Sequence, residues 1–179
     1  MAPTLPGDEL VPDASMVYDT SRAIAAAPQE IWPWLVQLGK RRAGWYLPAR
    51  AERLLPSGRC ATWRLHTRWQ GLKVGDRIPD YGGRDEELEV VRLDPPRAIV
   101  YRSERRGAVF SWALVLVPDG AGRTIVRLRF RGRIKSTGYK RRAIVAVGEL
   151  FDSLTAELML RGLAERVARL AGGGAGMAT

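Results

Sequence analysis

His66 is the only histidine in a chain of 179 residues. Chemistry that needs a side chain titrating near neutrality would therefore run through it. It stands in "WRLHTRW", Trp63 to Trp69. Read as extended chain, this stretch sets Trp63, Leu65, Thr67 and Trp69 on one side and His66 on the other. Two readings are open: a packed or surface histidine, or a general acid/base at the mouth of a pocket. No Gly-x-Ser-x-Gly elbow accompanies it, so a serine hydrolase is not indicated. One cysteine, Cys60, and one histidine cannot build a usual structural zinc site. The acidic run "DEELE" (Asp85 to Glu89) reads as a solvated turn entering a strand, so no metal is expected. The terminal "GGGAGMAT" lacks the strand-then-helix context of a phosphate-cradling loop, and no cofactor is predicted.

The strongest polar feature is a row of arginines. In "TIVRLRFRGRIK", Arg127, Arg129, Arg131 and Arg133 alternate with Val126, Leu128, Phe130, Gly132 and Ile134. A period of two means a strand with one apolar and one charged face. The charged face is either a solvated surface with acids opposite on neighbouring strands or a site for an anionic surface, such as lipid headgroups, nucleic acid or an acidic partner. "KRR" at Lys40–Arg42 and again at Lys140–Arg142 would extend such a site. Base stacking is disfavoured, because parity sends Phe130 inward. The net charge of +10 is concentrated, with +8 of it carried by residues 107–142, and only four of the 29 basic residues are lysine. Arginine suits phosphate and carboxylate better than lysine does, although an Ala-, Gly- and Arg-rich coding bias would produce the same composition.

These residues need elements to hold them. Residues 1–15, with their acids and prolines, read as a flexible or draped lead-in. A strand follows from about Met16, where Val17, Asp19, Ser21 and Ala23 alternate with Tyr18, Thr20, Arg22 and Ile24. A helix starts near Pro28 with Glu30 in its first turn. Ile31, Trp34, Leu35 and Leu38 lie on one face of it, Pro33 kinks it or tightens its first turns, and Gly39 is a plausible stop. A short helix is predicted over Pro48–Leu55. Strands are predicted at Thr62–Leu65, Arg77–Pro79, Leu88–Leu93, Ala98–Glu104, Val109–Val117 and Arg123–Lys135, with turn-like separators between them. Short links between successive strands imply an antiparallel meander. A last helix spans about Lys140 to Leu170. Ile144, Val147, Phe151, Leu154 and Leu158 share one face of it, and Met159, Leu163, Val167 and Leu170 share another. It therefore buries different sides early and late, or bends near Gly162. One domain over 16–171 and a disordered Gly-rich tail over 172–179 complete the expected organisation.

The order of strand, two helices, several strands and long helix resembles the SRPBCC superfamily, with its START-like helix-grip fold. Three blocks carry the resemblance: "APQEIWPWLVQLGKRRAGWY", "LKVGDRIP" and "LDPPRAIVY". They are most similar to the bacterial polyketide cyclase/dehydrase-like subgroup. The resemblance covers roughly Asp13 to Leu170. It implies an α+β architecture in which a curved antiparallel sheet wraps a long C-terminal helix, with two short helices after the first strand and an apolar cavity between sheet and helix.

Given such a cavity, the expected partner is a small hydrophobic molecule such as a lipid or polyketide. The candidate lining residues are Trp63, Tyr101, Trp112, Phe130, Phe151 and Leu158, since aromatic rings supply contact area and Tyr OH or indole NH can anchor a ligand oxygen. Each of them, taken singly, reads better as core, and the hypothesis concerns the set. Trp32, Trp34, Trp45 and Tyr46 are expected to be scaffold, with "GKRRAGWY" as a gating loop the alternative. A second hypothesis is a cyclase- or dehydratase-like enzyme acting by positioning and proton transfer, with His66, Tyr101 and Arg102 as candidate catalytic residues. A third is an adaptor using Arg127, Arg129, Arg131 and Arg133. One cysteine excludes an intrachain disulfide, and neither a secretory signal nor a membrane span is visible, so a cytoplasmic location is expected.

Overall fold

The computed structural model describes residues 4–80, 86–105, 108–134 and 139–174. Within these, side chains are described except at 105, 134, 139–153, 173 and 174. In chain order the elements are β1 (Met16–Ile24), α1 (Pro28–Gln37), α2 (Ala49–Glu52), β2 (Arg77–Pro79), β3 (Glu87–Asp94), β4 (Ala98–Arg105), β5 (Ala108–Pro118), β6 (Thr124–Ile134) and α3 (Tyr139–Gly174). The strands form one antiparallel sheet in the order β1-β6-β5-β4-β3-β2. α1 and the C-terminal half of α3 share one core cluster with the inward residues of the strands, so both pack on the sheet's inner side.

The local reasons are those the sequence offers. Pro28 opens α1, where its missing N–H costs nothing, and the Glu30 carboxylate accepts the Ala27 N–H at 2.7 Å. Pro33 lies inside the helix, which ends soon after, at Gln37. α1 buries Ile31, Trp34 and Leu35 against the sheet's inner face. That face is closed at one end by Ile99, Leu114, Leu116, Val126 and Leu128, all at most 3% exposed. Burying each such side chain stabilises by roughly 1.5–3 kcal/mol. The C-terminal half of α3 completes this core with Ala156, Met159, Leu160, Leu163 and Val167. A Cβ on Gly162 would stand 2.6 Å from the backbone of Tyr46 and Leu47. The glycine is there for close approach, and α3 continues through it.

Three expectations change. Thr62–Leu65 is not a strand. Its polar backbone is committed elsewhere: Thr62 N–H donates to Ala43 O at 2.8 Å, and Arg166 and Gln37 donate to Thr62 O and Arg64 O. A 3₁₀ turn at Thr67–Trp69 follows, so the apparent two-residue period there has no sheet behind it. Leu154 is 60% and Leu170 53% exposed rather than buried. The side chains of Ile144 and Val147 lie outside the described residues, as do those of Lys140–Arg142. α3 also runs past the expected end at Leu170, to Gly174.

Candidate ligand-binding face

The strand register places the inward side chains of four strands in one lateral row. Tyr18 pairs with Phe130, Phe130 with Trp112, and Trp112 with Tyr101. The next row sets Met16, Gly132, Phe110 and Ser103 side by side. A Cβ on Gly132 would meet the Phe110 ring at 3.0 Å and Met16 Cε at 3.2 Å. The register runs unbroken through Gly132, so it is not a bulge but the gap into which Phe110 lies. Phe110 stacks on Phe130 with centroids 5.4 Å apart, and the Tyr101 and Trp112 rings are 6.2 Å apart.

Trp45 joins this patch from the loop after α1. It stacks on Trp112 at 5.1 Å and 11°, and its indole N–H donates to Thr155 O on α3 at 3.1 Å. The loop is pinned by mutual backbone bonds between Gly39 and Gly44, at φ 134° and 88°, a region few side chains tolerate. Its neighbour Tyr46 faces the other way and is fully buried, donating to Trp34 O at 2.8 Å and accepting from Gln37. "GKRRAGWY" thus divides its aromatics: Tyr46 is buried in the core, while Trp45 packs at its edge, stacked on Trp112 and tied to α3. Adjacent residues in a loop carry no period, so nothing in the sequence distinguished them.

Phe110, Trp112, Phe130, Tyr18 and Trp45 are each only partly buried, while the other end of the same sheet face is sealed. Tyr101 is 2% exposed at the patch's edge. Burial pushes its hydroxyl well above the ordinary tyrosine range, against a smaller opposing pull from the Arg42 charge, so it stays protonated. That hydroxyl has no hydrogen-bond partner among the described residues.

The other candidates are dispersed. Trp63 is not on this face. Its indole N–H donates to Glu52 Oε2 at 2.7 Å, and the Arg166 guanidinium lies 4.0 Å over its ring. Arg166 is wholly buried and also donates to Glu52 Oε1, Leu47 O and Gly162 O, so Trp63 serves a clasp between α2 and α3. His66 is half-buried, 3.0 Å from Thr62 Oγ1 and edge-on to Trp69. No hydrogen bond or ring contact among the described residues joins it to Tyr101. Arg102 points to the opposite sheet face from Tyr101, as neighbours on a strand must. It pairs with Glu104 at 2.7 Å and borders a polar crevice of about 310 Å³ with Arg77, Glu86, Glu87 and Glu89. Arg102 therefore does not share a sheet face with Tyr101. Leu158 is half-buried on α3, and the Phe151 side chain lies outside the described residues.

The arginine row does occupy the outer face, but the chain's own carboxylates and carbonyls meet it. Asp19, directly opposite on β1, binds Arg129 and stands 3.7 Å from Arg127. Residues 4–15 drape over the row. Asp8 accepts from Arg129 at 2.8 Å, and Arg131 donates to the carbonyls of Val11 and Pro12. Arg129 is 5% exposed as a result. Arg133 is the most open, 3.9 Å from Asp13. Leu10 covers a small outer cluster of Ala98, Val100, Ala113 and Val115. Among the described residues no group of three His, Cys, Asp or Glu could hold a metal ion, and no helix is long and apolar enough to cross a membrane.

Neither a protein-family model nor a curated protein sequence matches the chain. Solved structures do. Protein MLL2253 from Mesorhizobium loti is 17% identical, with 86% of this chain and 97% of that one covered at a TM-score of 0.53. A Thalictrum flavum norcoclaurine synthase point mutant in complex with a transition-state analogue is 15% identical, with 87% and 95% covered at a TM-score of 0.52. The six antiparallel strands, the two short helices after β1 and the terminal helix packed on the sheet's inner side agree with these likenesses, and the chain has an α+β helix-grip fold.

Proposed function

We propose that the protein binds a small hydrophobic, largely aromatic molecule against the inner sheet face, over Trp112, Phe130, Phe110, Tyr18 and Trp45. One observation carries this reading. Five aromatic side chains from three strands and a loop converge on one end of the inner face and stay partly uncovered, whereas the other end is packed to 3% exposure or less. A chain with enough apolar residues to seal one end has no packing reason to gather its largest rings at the unsealed end. The norcoclaurine synthase structure, which holds a transition-state analogue, supports a small-molecule role on the same fold. The reading through Arg127, Arg129, Arg131 and Arg133 has less support, because Asp8, Asp19 and the lead-in carbonyls already engage three of the four.

A cyclase- or dehydratase-like activity on the bound molecule is the second reading. It rests on Tyr101, a protonated hydroxyl at the edge of the aromatic patch. Arg102, on the opposite sheet face, would not take part directly. Thermal unfolding with and without a flat aromatic compound such as naphthalene tests binding. At a hundred times Kd, mass action stabilises the fold by about 2.7 kcal/mol, which for a chain of this length is a rise of roughly 5–10 °C. No rise with any flat aromatic, at its solubility limit, removes the support for both readings.

A further inference from the structure

Two hydroxyls edge the aromatic patch, and one of them is a buried, unmet donor. Ser103 is 3% exposed, and its Oγ has no partner among the described residues. Tyr101, two positions earlier on β4, is 2% exposed, and its hydroxyl makes no hydrogen bond to a described residue. Strand alternation sets both on the inner face, about 7 Å apart along the strand. Ser103 also borders the outer polar crevice, but its side chain shares the face of Tyr101. Their cross-strand neighbours are Phe110 and Trp112, so the two hydroxyls flank the rings. A buried donor left unmet costs about 1–3 kcal/mol, and an arriving acceptor recovers much of it.

We propose that the ligand is seated oxygen first, with a carbonyl-type acceptor against the Tyr101 and Ser103 hydroxyls and its aromatic body along Trp112 and Phe110. This rests on the reading of the inner face as a ligand site and specifies which molecules that site prefers. A hydroxyl can donate to a carbonyl oxygen, and a hydrocarbon edge offers it nothing. The pair therefore selects a ligand that carries an oxygen at this end. Pure hydrocarbons fill the same space and leave the donors unmet.

A matched pair of probes tests this: 2-acetylnaphthalene, which ends in C=O, and 2-isopropenylnaphthalene, which has the same shape and ends in C=CH₂. Affinities are measured by calorimetry on the full chain and on Tyr101→Phe and Ser103→Ala, each of which removes one oxygen atom and nothing else. The expected result is a loss of about 3–10-fold in ketone affinity in at least one variant, corresponding to one net hydrogen bond, with isopropenyl affinity unchanged. If both probes bind and neither variant separates them, the oxygen-first proposal is wrong and the aromatic site stands. If neither probe binds the parent chain, the site itself is wrong. Because the substitutions delete unpartnered hydroxyls, both variants are expected to fold, and a thermal melt on each confirms it.

Discussion

Replacing Arg166 by methionine removes the centre of the clasp between α2 and α3 while keeping an apolar stem of similar length. The guanidinium is 0% exposed and donates to Glu52 Oε1 at 2.6 Å, Thr62 O at 2.8 Å, Leu47 O at 2.9 Å and Gly162 O at 3.0 Å. It is sandwiched between the rings of Trp63 at 4.0 Å and Tyr46 at 4.7 Å. Methionine keeps the ring contacts in part and none of the hydrogen bonds. Glu52, 7% exposed, is left as a buried carboxylate holding only the Trp63 indole and the Ala61 N–H. Breaking a buried pair from one side costs about 3–5 kcal/mol. The stranded carbonyls belong to the same network and do not add separately. Urea unfolding should show a loss of that size, and the thermal midpoint should fall by roughly 6–20 °C. Glu52→Gln added to Arg166→Met should restore part of the loss, since the uncompensated charge is gone. A loss below about 1 kcal/mol in the single variant, or a double variant worse than the single by the full cost of Glu52→Gln alone, would refute the claim that the buried charges act as a coupled unit. The consequence reaches the aromatic patch, because the Leu47 carbonyl follows the Trp45–Tyr46 pair and holds that loop to α3.

Two further outcomes follow from the packing and the ionisation. Gly162→Ala should destabilise the fold by about 1–3 kcal/mol in chemical denaturation, although alanine favours a helix interior by about 1 kcal/mol over glycine, because the new Cβ would press on the Tyr46–Leu47 backbone; a stabilised variant would contradict the close approach. Tyr46 and Tyr101 are both held protonated by burial, more strongly than Gln37, Arg166 and Arg42 pull the other way. Their folded pKa values lie above the unfolded value near 10, so this contribution is complete below pH 10. It is lost as pH rises above 10, by about 1.4 kcal/mol per pH unit for each tyrosine. Phenolate absorbance should show these two of the five tyrosines ionising only together with alkaline unfolding.

The strands that build the site were legible because alternation was strong. β5 and β6 carry large apolar residues at every second position, and both the inward set and the outward arginines fall where parity puts them. What covers the arginines was only half legible. Asp19 lies on a strand with visible alternation, but the pairing of β1 with β6 is a long-range fact that no local pattern encodes. Asp8 reaches Arg129 from a lead-in with no period at all. The same limit explains the errors at the site. "WRLHTRW" mimics a strand because its tryptophans sit at odd positions, yet its backbone is bonded to Gln37 of α1 and to Arg42 of the loop after α1. Trp45 and Trp63 look equivalent in sequence; one stacks on Trp112 and the other shields a buried arginine, because loop closure at Gly39 and Gly44 and the depth of Glu52 decide where each ring goes. Tyr101 and Arg102 were grouped as neighbours, and the strand that makes them neighbours sends them to opposite faces.

The most direct test of the aromatic site uses the six indole N–H resonances as reporters. Two-dimensional NMR of the labelled chain, titrated with 2-acetylnaphthalene, should move the Trp45 and Trp112 signals in a saturable way and leave Trp63 and Trp69 in place. Saturable shifts confined to Trp63 and Trp69, or a titration that moves none of the six, would contradict binding at the inner face.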